Sequence, residues 1–251
     1  MEIHNIIFLS IFFYLAGIVG VSVGGTSLIT VPLLISMGMS AKLAVGTNMF
    51  TLIFVSLSGA IGFRESMETR HNRVMPILIV LTILGSWWGA KILLDFDEKL
   101  LERFLVLIIC LFVPIFLLKK NIGITENHEK NSPLRFFAAS VLVFILGIYG
   151  GFFSGGYVMM LSYVLILGIG FDFLQTAGMT KVLNLFSSLV ASLIFWQNGL
   201  IDLHVGIPLA VAISLGGYSG AKLAIRKGNV WVRRLFIGMM VFLAVKLFLR
   251  F

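Results

Sequence analysis

The chain has 251 residues, 59% of them hydrophobic and only 12% charged, with a formal net charge of +8. A soluble domain of this size cannot hide that much apolar surface, whereas a bilayer solvates it. The basic excess sits in short connections between apolar blocks, where it reads as a topology determinant, so nucleic acid is not an expected partner.

The N-terminus, Met1-Glu2-Ile3-His4, lacks a basic leader segment, and no cleavable signal peptide is expected. The apolar blocks then fall at 5–39, 43–63, 74–94 and 104–118, and again at 136–171, 173–197, 204–225 and 231–249. Blocks of this length predict an all-α polytopic membrane protein; a membrane β-barrel would show short alternating segments instead. The lone cysteine, Cys110, lies in the fourth block and can form no disulfide within the chain.

The first block of each half is anomalous. Each is about 35 residues long, which as one straight helix reaches about 52 Å against a hydrocarbon core of about 30 Å. Two full spans with a turn need more than about 40 residues. A long tilted helix is one solution. A re-entrant hairpin of two short arms, bent at the glycines, fits better. Gly24, Gly25, Thr26 and Ser27 would form one tip, and Ser154, Gly155 and Gly156 the other. A short helix after each tip would present free N–H groups and a positive dipole end to an anion near mid-membrane. For Gly17, Gly20, Gly147 and Gly150, close helix packing is at least as good an explanation.

The two halves repeat each other at a spacing of about 130 residues. Gly17 pairs with Gly147, Gly20 with Gly150, Thr47 with Thr180, Pro76 with Pro208, and Gly89-Ala90-Lys91 with Gly220-Ala221-Lys222. The division expected is 1–125 and 126–251. Basic residues separate the topologies. If every block is a simple span, Lys and Arg divide nine against nine, leaving Lys181 aside. If the first block of each half returns to its own side, Lys42, Lys91, Lys99, Arg103, Lys246 and Arg250 share one side and the other twelve share the opposite side. That bias places both termini outside and makes the repeats inverted, each with a glycine-tipped hairpin and three transmembrane helices.

Lys181 lies about 12 Å along the sixth block, and an ionisable group at that depth usually faces a cavity or pathway. Snorkelling to the headgroups is the alternative. Thr47, Asn48, Thr180 and Asn184 offer neutral hydrogen bonds suited to an oxyanion, or alternatively to capping and helix packing. Ser187, Ser188 and Gln197 are weaker candidates, and Pro32 and Pro208 are expected to shape their helices. His4, His71, His128 and His204 read as solvated loop histidines. Asp172 and Asp202 fall at block ends, so no proton-relay carboxylate is evident in any block. No catalytic cluster, metal-ligand pattern or cofactor motif appears, and no enzyme activity or cofactor is expected. Trp87 and Trp88 suit either a lipid-facing belt or a homodimer contact.

"GVSVGGTSLITVPLL" followed by "AVGTN", with "GIYGGFFSGGYVMM" and "TAGMTKVLNLFSSLVASLIFWQNGLID" in the second half, resembles the TauE/SafE sulfite exporter family. Met179 stands where that family more often has glycine. The resemblance covers nearly the whole chain and implies a transporter of small sulfur-containing anions, sulfite or organosulfonate, usually outward, across the inner (cytoplasmic) membrane. An importer of thiosulfate or another anion, or an anion channel, is the alternative on the same scaffold. Sulfite is largely a dianion near neutral pH, and its exit from a negative interior is downhill by about 4.6 kcal/mol per 100 mV. A facilitated, potential-driven exporter without an obligatory coupling ion is therefore expected.

Overall fold

The computed structural model describes residues 3–64, 74–118, 133–171 and 173–227. The block at 231–249, Asp172, His71 and His128 lie outside the described residues. The described elements are all helical: α1 (Ile3–Val23), α2 (Thr26–Ser36), α3 (Ala41–Gly62), α4 (Met75–Asp95), α5 (Glu98–Leu118), α6 (Pro133–Phe152), α7 (Tyr157–Val164) with a π-helical turn (Leu165–Ile169), α8 (Phe173–Gln197) and α9 (Leu203–Lys227). Among the described residues, six helices are long and apolar enough to cross a membrane: α1, α3, α4, α6, α8 and α9.

The two long blocks are each broken at their glycines, so neither forms a single tilted helix. Gly24 and Gly25 both sit at φ +80°, a left-handed conformation that costs glycine nothing and ends α1. Gly156 repeats that φ before α7. Ser154 adopts φ +66°, a value uncommon for a residue with a side chain. The arms differ from the expected pair of short helices. α1 has 21 residues and α2 only 11, because the break falls late in the block and α1 starts almost at the chain terminus. α5 also starts earlier than the apolar block suggests, at Glu98, since Asp97 and Glu98 suit the positive end of a helix.

Sequence chemistry sets the remaining ends. The Ser40 hydroxyl accepts the Leu43 N–H, 3.4 Å, to cap α3. Pro76 occupies the first turn of α4, where its missing N–H is harmless. Gly199, at φ +68°, turns the chain between α8 and α9, and the Asp202 carboxylate accepts the Val205 N–H, 3.2 Å, to start α9.

Packing follows glycine seams. On α9, Gly216 lies against the Tyr14 carbonyl and Gly220 against the Ile18 carbonyl. On α4, Gly85 lies against the Phe144 carbonyl and Gly89 against the Ile148 carbonyl. No Cβ fits at any of the four, which is how small residues bring membrane helices into backbone contact. The ascending numbers on both sides mean that α1 runs parallel to α9, and α6 parallel to α4. α3 lies antiparallel to α8, with Asn184 beside Ser56 and Lys181 beside Gly59. The end of α4 meets the start of α3, where the Lys42 ammonium donates to the Leu94 carbonyl, 2.7 Å. The main core centres on α1, α2, α3, α8 and α9 around Phe13, Leu34, Met49, Phe195 and Leu209, and extends to Leu93 of α4, Leu101 of α5, Phe152 of α6 and Met159 of α7. Outward faces stay apolar, as at Ile77, Val80 and Leu84 of α4.

Candidate functional site

The two helix breaks meet each other inside the bundle. A methyl group placed on Gly24 would come within 3.1 Å of the Met159 nitrogen and the Val158 side chain, and one on Gly155 within 2.9 Å of Leu28. Each break is held by an asparagine from a long neighbouring helix. Asn48 on α3 donates to the Ser27 hydroxyl, 2.9 Å, and its carbonyl accepts from the Thr30 hydroxyl, 2.6 Å. Asn184 on α8 donates to the Ser56 hydroxyl, 2.7 Å, and its carbonyl faces the Ser154 hydroxyl at 3.4 Å. The Tyr149 hydroxyl donates to the Gly155 carbonyl and steadies the second break from α6. Each amide uses both of its ends, and all of Ser27, Thr30, Asn48, Ser56, Ser154 and Asn184 are buried. Satisfied polar groups of this kind are stable in an apolar surround, whereas unsatisfied ones are costly.

Lys181 adds charge to this polar centre. Its side chain is 3% exposed, its stem crosses the bare face of Gly59, and its ammonium donates to the Gly20 carbonyl, 2.9 Å, in the last turn of α1. A cation there complements the negative end of the α1 dipole. Among the described residues, Lys181 is the one charged side chain that is buried, and no buried carboxylate faces it. It does not snorkel.

The sequence-selected residues divide. Gly24, Gly25, Thr26, Ser27, Asn48, Ser154, Gly155, Gly156, Lys181 and Asn184 gather around the two breaks. Thr47 and Thr180 are buried with their hydroxyls engaged elsewhere: Thr47 accepts the Asp202 N–H, 3.0 Å, and Thr180 donates to the Ala177 carbonyl, 3.1 Å. Of the weaker candidates, Ser187 accepts from Ser86, 2.7 Å, joining α8 to α4, while Gln197 is exposed. His4 and His204 are exposed. Gly17 and Gly147 are packing positions against α9 and α4 respectively. Sequence reasoning missed Thr30, Ser56 and Tyr149. Helical spacing carried a signal for two of them: Thr30 follows Thr26 by one turn, and Ser56 follows Asn48 by two, each on the same helix face.

This geometry coincides with a match along nearly the whole chain. The family model described as Sulfite exporter TauE/SafE covers residues 9–247. The chain belongs to the TauE/SafE family. Relatives share that length. A "Probable membrane transporter protein" of Haemophilus influenzae is 29% identical over 235 residues, covering 93% of this chain and 91% of its own. "Probable membrane transporter protein ORF9" of Sinorhizobium is 26% identical over 98% of this chain and 94% of its own. "Probable membrane transporter protein YfcA" of Escherichia coli K12 is 28% identical over 93% and 86%. No solved structure matches the chain. A TauE/SafE protein whose described residues include six helices long and apolar enough to cross a membrane is a membrane transporter.

Proposed function

We propose that the protein exports sulfite or an organosulfonate across the inner (cytoplasmic) membrane, binding it at the two helix breaks. The observation that carries this reading is the buried Lys181 ammonium, unopposed by any buried carboxylate among the described residues, bonded to Gly20 in the turn before the first break and one helical turn from Asn184, which meets the second. A lone positive charge in a water-poor site favours a small anion. Hydroxyl and amide groups of Ser27, Asn48, Ser154 and Asn184 would orient its oxygens, with the first turns of α2 and α7 adding N–H donors. Thr26, Gly24, Gly25, Gly155 and Gly156 would shape the approach, while Thr47 and Thr180 support the site by holding their helices.

The proposed architecture is two inverted repeats, 1–125 and 126–251, each with a glycine-tipped re-entrant hairpin and three spans, and with both termini outside. Reciprocal packing supports it: α1 lies on α9 as its counterpart α6 lies on α4, through equivalent glycines. α3 also runs parallel to α9, with Phe50 against Gly206 and Gly62 against Ala221, so α1 and α3 share a direction, which supports a first hairpin that returns to its own side. Rocking one repeat against the other around the breaks would then expose the site alternately to each face.

Thermal unfolding of the purified protein with sulfite, thiosulfate or sulfate, beside Lys181→Ala, tests the reading. Stabilisation by sulfite that is absent in the variant is the expected result. Equal stabilisation of both proteins would remove Lys181 from the site. Stabilisation by thiosulfate alone would replace the cargo, and no stabilisation by any sulfur anion would overturn it.

A further inference from the structure

Two exposed positions repeat with the same chemistry at opposite ends of the bundle. On α4, the Lys91 ammonium lies 3.8 Å from the centre of the Trp87 ring. On α9, the Lys222 ammonium lies 4.4 Å from the Tyr218 ring. The pairs are equivalent in the chain: Trp87 follows Gly85 by two residues as Tyr218 follows Gly216, and the lysine comes four residues later in both. All four side chains are exposed, and both pairs sit on the outer side of the helix whose inner side carries the glycine seam.

Their heights can be read along α3. The end of α4 is level with Lys42, which bonds the Leu94 carbonyl one turn beyond Lys91. Ala221, beside Lys222, is level with Gly62. From Lys42 to Gly62 the helix rises about 30 Å, the thickness of a bilayer's hydrocarbon core. Toward the middle of the bundle the exposed surface beside each pair is apolar, with Leu84 on α4 and Leu215 on α9, while one turn outward from the lysines the exposed charges Asp95 and Arg226 begin the polar zone.

We propose that Trp87–Lys91 and Tyr218–Lys222 are two phospholipid headgroup sites, one per leaflet, each taking the phosphate of an anionic lipid. The aromatic ring sits at the boundary of the acyl region, where amphipathic rings concentrate. It also holds the lysine stem upright, so the ammonium reaches the phosphate level without crossing hydrocarbon. The negative surface potential of anionic lipid adds attraction for the lysine. The sites are independent of the anion centre, and they register the bundle in the membrane.

The test uses the full chain in vesicles of phosphatidylcholine and phosphatidylglycerol, with Trp88, Trp196 and Trp231 replaced by phenylalanine so that Trp87 alone reports. Bromine attached next to the headgroup should quench Trp87 about twofold more than bromine at the acyl chain end, as an interfacial ring requires. Native mass spectrometry of the otherwise unaltered protein should show retained phosphatidylglycerol, lowered in Lys91→Gln, lowered in Lys222→Gln and lost in the double variant. Equal quenching from both depths, or a Trp87 shielded from lipid by a second copy of the chain, would overturn the proposal. So would phosphatidylglycerol retention unchanged in the double variant.

Discussion

At the scale of single residues, the polar centre separates groups that hold the fold from the group that carries charge. Asn48 bonds Ser27 and Thr30 at once, so Asn48→Ala removes the amide partner of the buried Ser27 hydroxyl and leaves Thr30 only its bond to the Thr26 carbonyl, 3.0 Å. The expected cost is about 1–2 kcal/mol, because interhelical hydrogen bonds in membranes contribute modestly and orphaned polar groups add a penalty. Asn184→Ala should cost a similar amount through Ser56 and Ser154. Equilibrium unfolding in mixed detergent micelles reads both, and wild-type stability in the two variants would refute the account. Lys181 should behave in the opposite way. Its burial without a carboxylate partner is a desolvation cost that the Gly20 carbonyl offsets only partly. Lys181→Met keeps the stem over Gly59 and removes the charge. Its melting temperature without anion should equal or exceed that of wild type, while stabilisation by sulfite disappears. A variant that melts early yet still responds to sulfite would make Lys181 a structural residue.

At the scale of helices, the glycine seams explain why breaks and packing use the same residue. Gly24, Gly25 and Gly156 are needed for their positive φ; Gly89 and Gly220 are ordinary helical residues that need the absence of a side chain. Gly89→Val and Gly220→Val would drive side-chain carbons into the Ile148 and Ile18 carbonyls and must force α6 off α4, or α1 off α9. Both should leave little folded protein after detergent extraction. Gly38→Ala, at φ +94° in open space, should lose only the conformational cost of about 1–2 kcal/mol. Detergent gel filtration ranks the three, and equal monodispersity for all of them would dismiss the seams. The same residues show what was legible beforehand. A charge-free run too long for one span and too short for two predicted a break, and the glycines located it. A tip at 24–27 within 5–39 already implied unequal arms; what was not legible is that the longer arm stays helical through Gly17 and Gly20, which pack against α9 and Thr26 respectively. Thr47 and Thr180 looked like site residues by repeat position. Their hydroxyls are committed to Asp202 and Ala177, the first of these a contact between distant parts of the chain that local pattern cannot reveal.

At the scale of the whole molecule, the proposed mechanism stands on charge. The apolar blocks carry no acidic residue at depth in the sequence, and among the described residues the buried charge is the single positive Lys181. A carrier that coupled export to protons would be expected to hold a carboxylate or histidine in the transport path, where it could load and release the proton. The proposed driving force is instead the membrane potential itself. Moving a sulfite dianion outward across an inside-negative membrane releases about 4.6 kcal/mol per 100 mV, equivalent to more than a thousandfold concentration ratio. Lys181 moving with the site would split this charge movement between the loaded and the empty step, but it returns each cycle, so the charge measured per turnover should equal the two charges of the dianion. Sulfite efflux from proteoliposomes should therefore accelerate when a potassium diffusion potential makes the interior negative. It should slow when the sign is reversed, and it should ignore an imposed pH gradient once sulfite speciation is held constant. Efflux indifferent to potential but driven by a proton gradient would reject this mechanism, and it would direct the search for a proton carrier to the histidines and carboxylates outside the apolar blocks.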